Sequence, residues 1–217
     1  MMFKSIKTGV IAAIMVSSTV YAFAQKKITE GTAVYSMEGA MGKQEQKLSF
    51  NNNVSKLVIE SGPATISILN DVEKENGLIL VSVPIAQIQK AAKLAKKDLT
   101  EQNEQQGIFP PVDITATGEK QTINGFNAEK YTYKNGANGE TYEVWITKDI
   151  DLPVNMFTDN FKSLKGTMVK VTGKGGSIIL KSATEGKIGA LSTTDIPSGY
   201  DEITYDELKS MQGGGGE

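Results

Sequence analysis

Short runs of alternating apolar and polar residues, closed off by Asn and Gly, recur along most of this chain and restrict it to strands joined by tight turns. In "ITEGTAVYSMEGAMG", Ala33, Tyr35 and Met37 alternate with Val34, Ser36 and Glu38. "EQKLSFNNNVSKLVIES" reads as two strands around Asn51-Asn52-Asn53. Gly62-Pro63 breaks the chain, and "ATISILND" and "GLILVSV" follow as a pair joined near Asn76-Gly77. Asn124-Gly125 and "KNGANG" punctuate three alternating runs between 112 and 149. "FTDNFKSL" suits one helical turn, "GTMVKVTGKGGSIILKSATE" a hairpin around Gly173 to Gly176, and "KIGALSTTDIP" a last strand. About ten or eleven strands joined in sequence make a meander rather than a βαβ series. The expected class is mainly β (α+β).

One stretch breaks the rhythm. In "PIAQIQKAAKLAKKDLTEQNEQQ", residues 84–106, Ile85, Ile88, Ala92, Ala95 and Leu99 fall at helical spacing on one narrow stripe. Lys90, Lys93 and Lys97 lie roughly opposite. Pro84 suits a first helical turn, Ser82 can cap it, and Gly107 with Pro110-Pro111 ends it. The pattern predicts one long helix of roughly 30 Å. A second, short helix is predicted from Thr204, where Thr204-x-x-Glu207 forms a capping box and Ile203 with Leu208 a hydrophobic staple.

The termini divide the chain. Lys4 and Lys7 precede the apolar run Gly9–Ala22, and Ala22-Phe23-Ala24 fits the small-residue rule for cleavage before Gln25. Residues 1–24 are therefore expected to be a signal peptide, 25–211 a single domain and 212–217 a flexible Gly-rich tail. The expected location is periplasmic or secreted.

Composition narrows the chemistry. All 23 basic residues are lysine, and there is no His or Cys. The commonest general base, the commonest metal ligand and thiolate chemistry are thus missing, as is the bidentate guanidinium. The formal net charge is −2. Nucleic acid is not an expected partner. Asp149-x-Asp151 with Asp159 lacks the central Gly and final Glu of a calcium loop. "GKGG" reads as a hairpin turn rather than a phosphate loop, and Asn53-Val54-Ser55 matches a glycosylation sequon by composition alone. No cofactor, no metal and no enzymatic activity are expected.

Three segments carry a resemblance: "INGFNAEKYTY" (Ile123–Tyr133), "EVWITKDIDLP" (Glu143–Pro153) and "DIPSGY" (Asp195–Tyr200). Their order and spacing resemble a secreted Gram-negative domain family of unknown function, related to the periplasmic lipoprotein carriers LolA and LolB. The resemblance implies an unclosed antiparallel β-barrel with helices as a lid over an apolar cavity. It also implies a ligand, a lipid or a lipoprotein acyl chain. Carriers of the LolA type use an arginine at the cavity; this chain has none.

The resulting expectation is a non-catalytic periplasmic binding protein, a monomer, holding a hydrophobic small molecule or acyl chain. Transient contact with a membrane surface would come through the lysine face. Ile85, Ile88, Ala92 and Leu99 are the expected lid residues. Trp145, with polar neighbours Glu143 and Thr147, is a candidate for the cavity mouth, and Met156 and Phe157 for the cavity wall. The alternative is a structural or interaction protein of the cell envelope with a solid core and no small ligand. A third possibility, an enzyme using paired carboxylates, has one Trp as thin support.

Overall fold

The computed structural model describes residues 25–39, 42–105 and 107–213. The expected signal peptide lies outside them, as does most of the expected tail. Fourteen strands run in chain order: β1 Lys26–Lys27, β2 Glu30–Gly39, β3 Gly42–Asn51, β4 Val54–Ser61, β5 Ala64–Asp71, β6 Asn76–Val83, β7 Ile88–Leu94, β8 Pro111–Ile123, β9 Phe126–Asn135, β10 Thr141–Thr147, β11 Ile150–Asp151, β12 Thr167–Gly173, β13 Gly176–Glu185 and β14 Asp201–Ile203. Two α-helices, α1 Lys96–Gln105 and α2 Tyr205–Gly213, join them.

Twelve strands form one sheet in the order β14-β7-β6-β5-β4-β3-β2-β13-β12-β10-β9-β8, and β1 pairs with β11 in a separate parallel ribbon. The large sheet is two meanders, β2–β7 and β8–β13 without β11, stitched along β2 and β13, where Gly31 to Gly39 meet Glu185 to Gly176. It does not close: β14 and β8 are its two edges. The sheet must nevertheless curl. β7 and β8 stand ten strand positions apart, about 48 Å if flat. The connection between them is α1, about 15 Å long, plus a few residues that even fully extended would span only about 24 Å.

A single register row explains where the core sits. Ala183, Ala33, Leu48, Leu57, Ile68, Ile79, Ala92 and Ile203 are paired in succession across eight strands, β13 to β14 by way of β2–β7. Every one is apolar. The neighbouring row, on the opposite face, reads Thr184, Thr32, Ser49, Lys56, Leu69, Leu78 and Lys93. Side chains alternate between faces, so along these rows one face is a continuous apolar floor and the other is mostly polar, apart from a patch around Leu69 and Leu78.

Residues 84–106 depart from the single helix expected of them. Pro84–Ala86 form a 3₁₀ turn, Gln87 takes a left-handed conformation (φ 53°), Ile88–Leu94 are β7, and only Lys96–Gln105 are helical. Ser82 belongs to β6 and caps nothing. The cause is tertiary. All seven residues of β7 pair with β6, from Val83↔Ile88 to Gly77↔Leu94, and this ladder outweighs the helix preference of Ala, Lys and Gln. Among the described residues fourteen strands form, two of them only two residues long, against the ten or eleven expected. "KIGALSTTDIP" makes no strand; the last one is β14, which begins four residues after Pro197.

The short closing helix forms as its capping box predicts. Thr204 N donates to Glu207 Oε2 (2.7 Å) and Glu207 N to Thr204 Oγ1 (3.2 Å). Ile203 and Leu208 share one apolar cluster, and Leu208 is buried.

Candidate functional site

The apolar floor is covered in two places. Over β6 and β7 lie the helices: Leu99 of α1 and Leu208 of α2 pack with Ile79, Ala92 and Leu94. Over β2, β3 and β4 lies the segment 152–161, which places Leu152, Met156 and Phe157 against Tyr35, Leu48, Phe50 and Leu57. Tyr35 and Leu48 are fully buried, and Phe50 and Leu57 nearly so.

Asn155 organises the second cover. It is 2% exposed. Its Nδ2 donates to the Tyr35 hydroxyl (3.3 Å) and to the Pro153 carbonyl (3.3 Å), and its Oδ1 accepts from Phe157 N (3.0 Å). Its own N–H donates to Thr158 Oγ1 (2.9 Å), while its carbonyl accepts from Thr158 N and Asp159 N. One buried amide thereby turns the chain into the 3₁₀ turn Asp159–Phe161, the helical turn expected of "FTDNFKSL". Burial pushes the Tyr35 phenol up to about 12, opposed in part by its bond to Asn155.

Beside this cover lies a recess of about 220 Å³. Leu152, Pro153, Val154, Phe161, Leu164 and Met168 give it apolar walls, with Asn155, Thr158 and Thr167 as polar points. A wider depression of about 460 Å³ shares Val154 and Lys162 with it and adds Asn53, Glu73 and Glu75. Glu75 is paired with Lys96 (2.8 Å) and Lys162 with Asp159 (2.9 Å). The Lys96 ammonium holds the Glu75 carboxyl below the usual carboxylate range.

The expected site residues separate into groups. Ile85 stands 83% exposed on the 3₁₀ turn, and Ile88 is half-buried at the start of β7. Ala92 and Leu99 do meet, in the cluster under α1 and α2. Trp145, Met156 and Phe157 meet in the other cluster, around Tyr35. None of the seven lines either recess. Trp145 is not at a rim: it is 3% exposed on β10, between β9 and β12, opposite Lys130 and Lys170. The Lys130 ammonium sits 5.7 Å from the Trp145 ring centre and bonds Glu143 (2.6 Å) and Glu119 (3.2 Å). Those two carboxylates raise the Lys130 pKa.

Sequence reasoning missed Tyr35 as the centre of the floor, and Asn155 altogether. Tyr35 lay in plain view as the largest residue of an alternating run. Asn155 carried a weaker signal, a polar residue between Val154 and Met156 just after Pro153.

The fold defines a mainly β protein built on one large twisted sheet, open at both edges, with two short helices. The chain belongs to a family described as "Domain of unknown function (DUF4412)", whose model matches residues 24–170. β13, the segment 186–200, β14 and α2 lie beyond the matched region. No curated protein matches the chain. Among solved structures it is similar to PNGF-II, determined in space group C2, at 17% identity and a TM-score of 0.48; the alignment covers 84% of this chain and 32% of that one.

Proposed function

We propose that this protein is a non-catalytic module of the cell envelope, exported by cleavage after Ala24, that acts by binding another protein and carries a solid core. The observation that carries this reading is the register row from Ala183 to Ile203. Its inner residues are pressed between the sheet and its covers, Ala33, Leu48 and Ala92 being fully buried. A ligand cavity under the helices would need that floor to be open. Supporting it, β8 is thirteen residues long, pairs on one side only, and leaves Val112 47% exposed. Native mass spectrometry of the protein purified from a periplasm tests the reading. A clean apo mass, with no uptake of added fatty acid or phospholipid, is the expected result.

A second reading, a carrier of a lipid or acyl chain, has one observation in its favour. The recess near Leu152 joins apolar walls to a depression flanked by Glu73, Glu75 and Lys162. An apolar tail with a polar head matches that division. A reproducible added mass, released by organic solvent, would support this reading over the first. Its site is then the recess beside segment 152–164, with Met156 and Phe157 behind its wall rather than in it.

A further inference from the structure

Cleavage after Ala24, on which this step rests, makes Gln25 the first residue of the mature chain. We propose that Gln25 is a modification site, whose α-amine closes onto its own side-chain amide to give an N-terminal γ-lactam, a pyroglutamyl residue. From residue 26 onward the chain is anchored. Lys26 N donates to the Asp149 carbonyl (3.1 Å) and Ile28 N to the Asp151 carbonyl (3.0 Å), and Ile28 is 2% exposed. Gln25 stands exposed one step beyond that ladder. Its side-chain Nε2 donates to the Ile150 carbonyl (2.9 Å).

The reaction needs no co-reactant. The amine lone pair adds to Cδ and an N–Cδ bond forms. The Cδ–Nε2 bond breaks, an amine proton passes to the leaving nitrogen, and ammonia departs. Nothing is oxidised or reduced. Lys26 and Lys27 follow directly, and their positive charges disfavour the ammonium and so favour the nucleophilic neutral amine. Ring closure sacrifices the bond to Ile150, because its donor leaves as ammonia. The ladder bonds of Lys26 and Ile28 remain. The mature chain then begins on an uncharged group lying against β11.

The full chain, expressed and processed in a Gram-negative host, is measured by intact mass and by stepwise N-terminal sequencing. The expected result is a chain of residues 25–217, lighter by one ammonia and blocked to sequencing. Gln25→Asn keeps an amide but is one methylene too short for the lactam. It is expected at full mass with a readable N-terminus. A wild-type chain of residues 25–217 that keeps its full mass and free amine after prolonged incubation overturns the proposal while export stands. A chain that retains residues 1–24, or is cut elsewhere, overturns both.

Discussion

The ring of Phe157 rests on that of Tyr35, centroids 4.9 Å apart and planes inclined at 60°. One ring belongs to a central strand and the other to the segment that covers it, so the contact fastens cover to floor. Phe157 is half-buried. Phe157→Ala is expected to lower stability by about 2–3 kcal/mol, less than the loss of a fully buried aromatic because the ring is half-exposed. Phe157→Leu should lose less. Urea titration followed by Trp145 fluorescence reads both, and equal midpoints for wild type and Phe157→Ala would refute the fastening role.

Asn155 carries more than its size suggests. Replacing it with alanine strands the buried Tyr35 hydroxyl without its amide partner and frees the part-buried Phe157 N. The expected loss is about 2–4 kcal/mol. Hydrogen exchange should show amides of the turn Asp159–Phe161 losing protection first, while those of β2 and β3 hold. Uniform loss across the sheet would argue against a local hinge of this kind.

The C-terminal helix is held by a cap and an anchor. Thr204→Ala is expected to cost about 1 kcal/mol, and Leu208→Ala about 2–4 kcal/mol. Both act on the docking of one short helix, so the double variant should fall short of the sum. Limited proteolysis within residues 205–211 provides the readout. Full additivity would mean that cap and anchor act independently.

The tethers of the same region depend on pH. Glu30 Oε1 accepts from Ile188 N (2.6 Å) and Gly189 N (3.0 Å), which holds its carboxyl below the ordinary 4.5. Glu207 is lowered likewise by its bonds to Thr204. A folded pKa below the unfolded one gives stability that is present above the unfolded value and lost as pH falls through the folded one. Acidification below about 4.5 is therefore expected to loosen segment 186–208. At the other limb, the phenols of Tyr35 and Tyr133, both pushed from 10.0 to about 12, favour the folded state below 10. Stability should fall as pH rises from about 10 toward 12. Glu30→Gln should flatten the acid response of residues 186–190 in hydrogen exchange.

Gly176 tests the seam between the two meanders. Its φ is +137°, and an added Cβ would stand 1.7 Å from the Glu38 carbonyl oxygen. Gly176→Ala is expected to force apart β13 and β2 at that end, with a loss above about 3 kcal/mol. A crystal structure with the Gly176↔Gly39 pairing intact would contradict this.

Most of the strands were legible because alternation and Asn-Gly punctuation are local signals. Asn51-Asn52-Asn53 does close β3 onto β4, and Asn124-Gly125 closes β8 onto β9, with φ of 50° at Asn52 and 49° at Asn124. β7 was illegible for the opposite reason. Both its faces are covered, by Ile196 and Tyr200 near Ala91 and by Leu208 near Ala92. Small residues fit between two such layers, and small residues also write a helical pattern. The left-handed residue that turns β6 into β7 is a glutamine, with no Gly or Asn to announce it. β14 was hidden by its length and by its parallel pairing with a strand over 100 positions earlier, Asp201 lying beside Lys90. The recess is set by how residues 152–164 fold back, which depends on Asn155 reaching Tyr35, 120 residues away in sequence.

The join of β2 to β13 also sets an order of events. Each meander can zip from its own hairpins, one short closure at a time. The seam cannot: Gly31 waits for Glu185, and every intervening strand must be made first. A chain threaded out of a membrane from its N-terminus would hold β2 with one side unpaired until β13 had emerged. Such long closures are slow. During that interval an exposed central strand is a template for another molecule, so any chaperone this chain needs would be needed there.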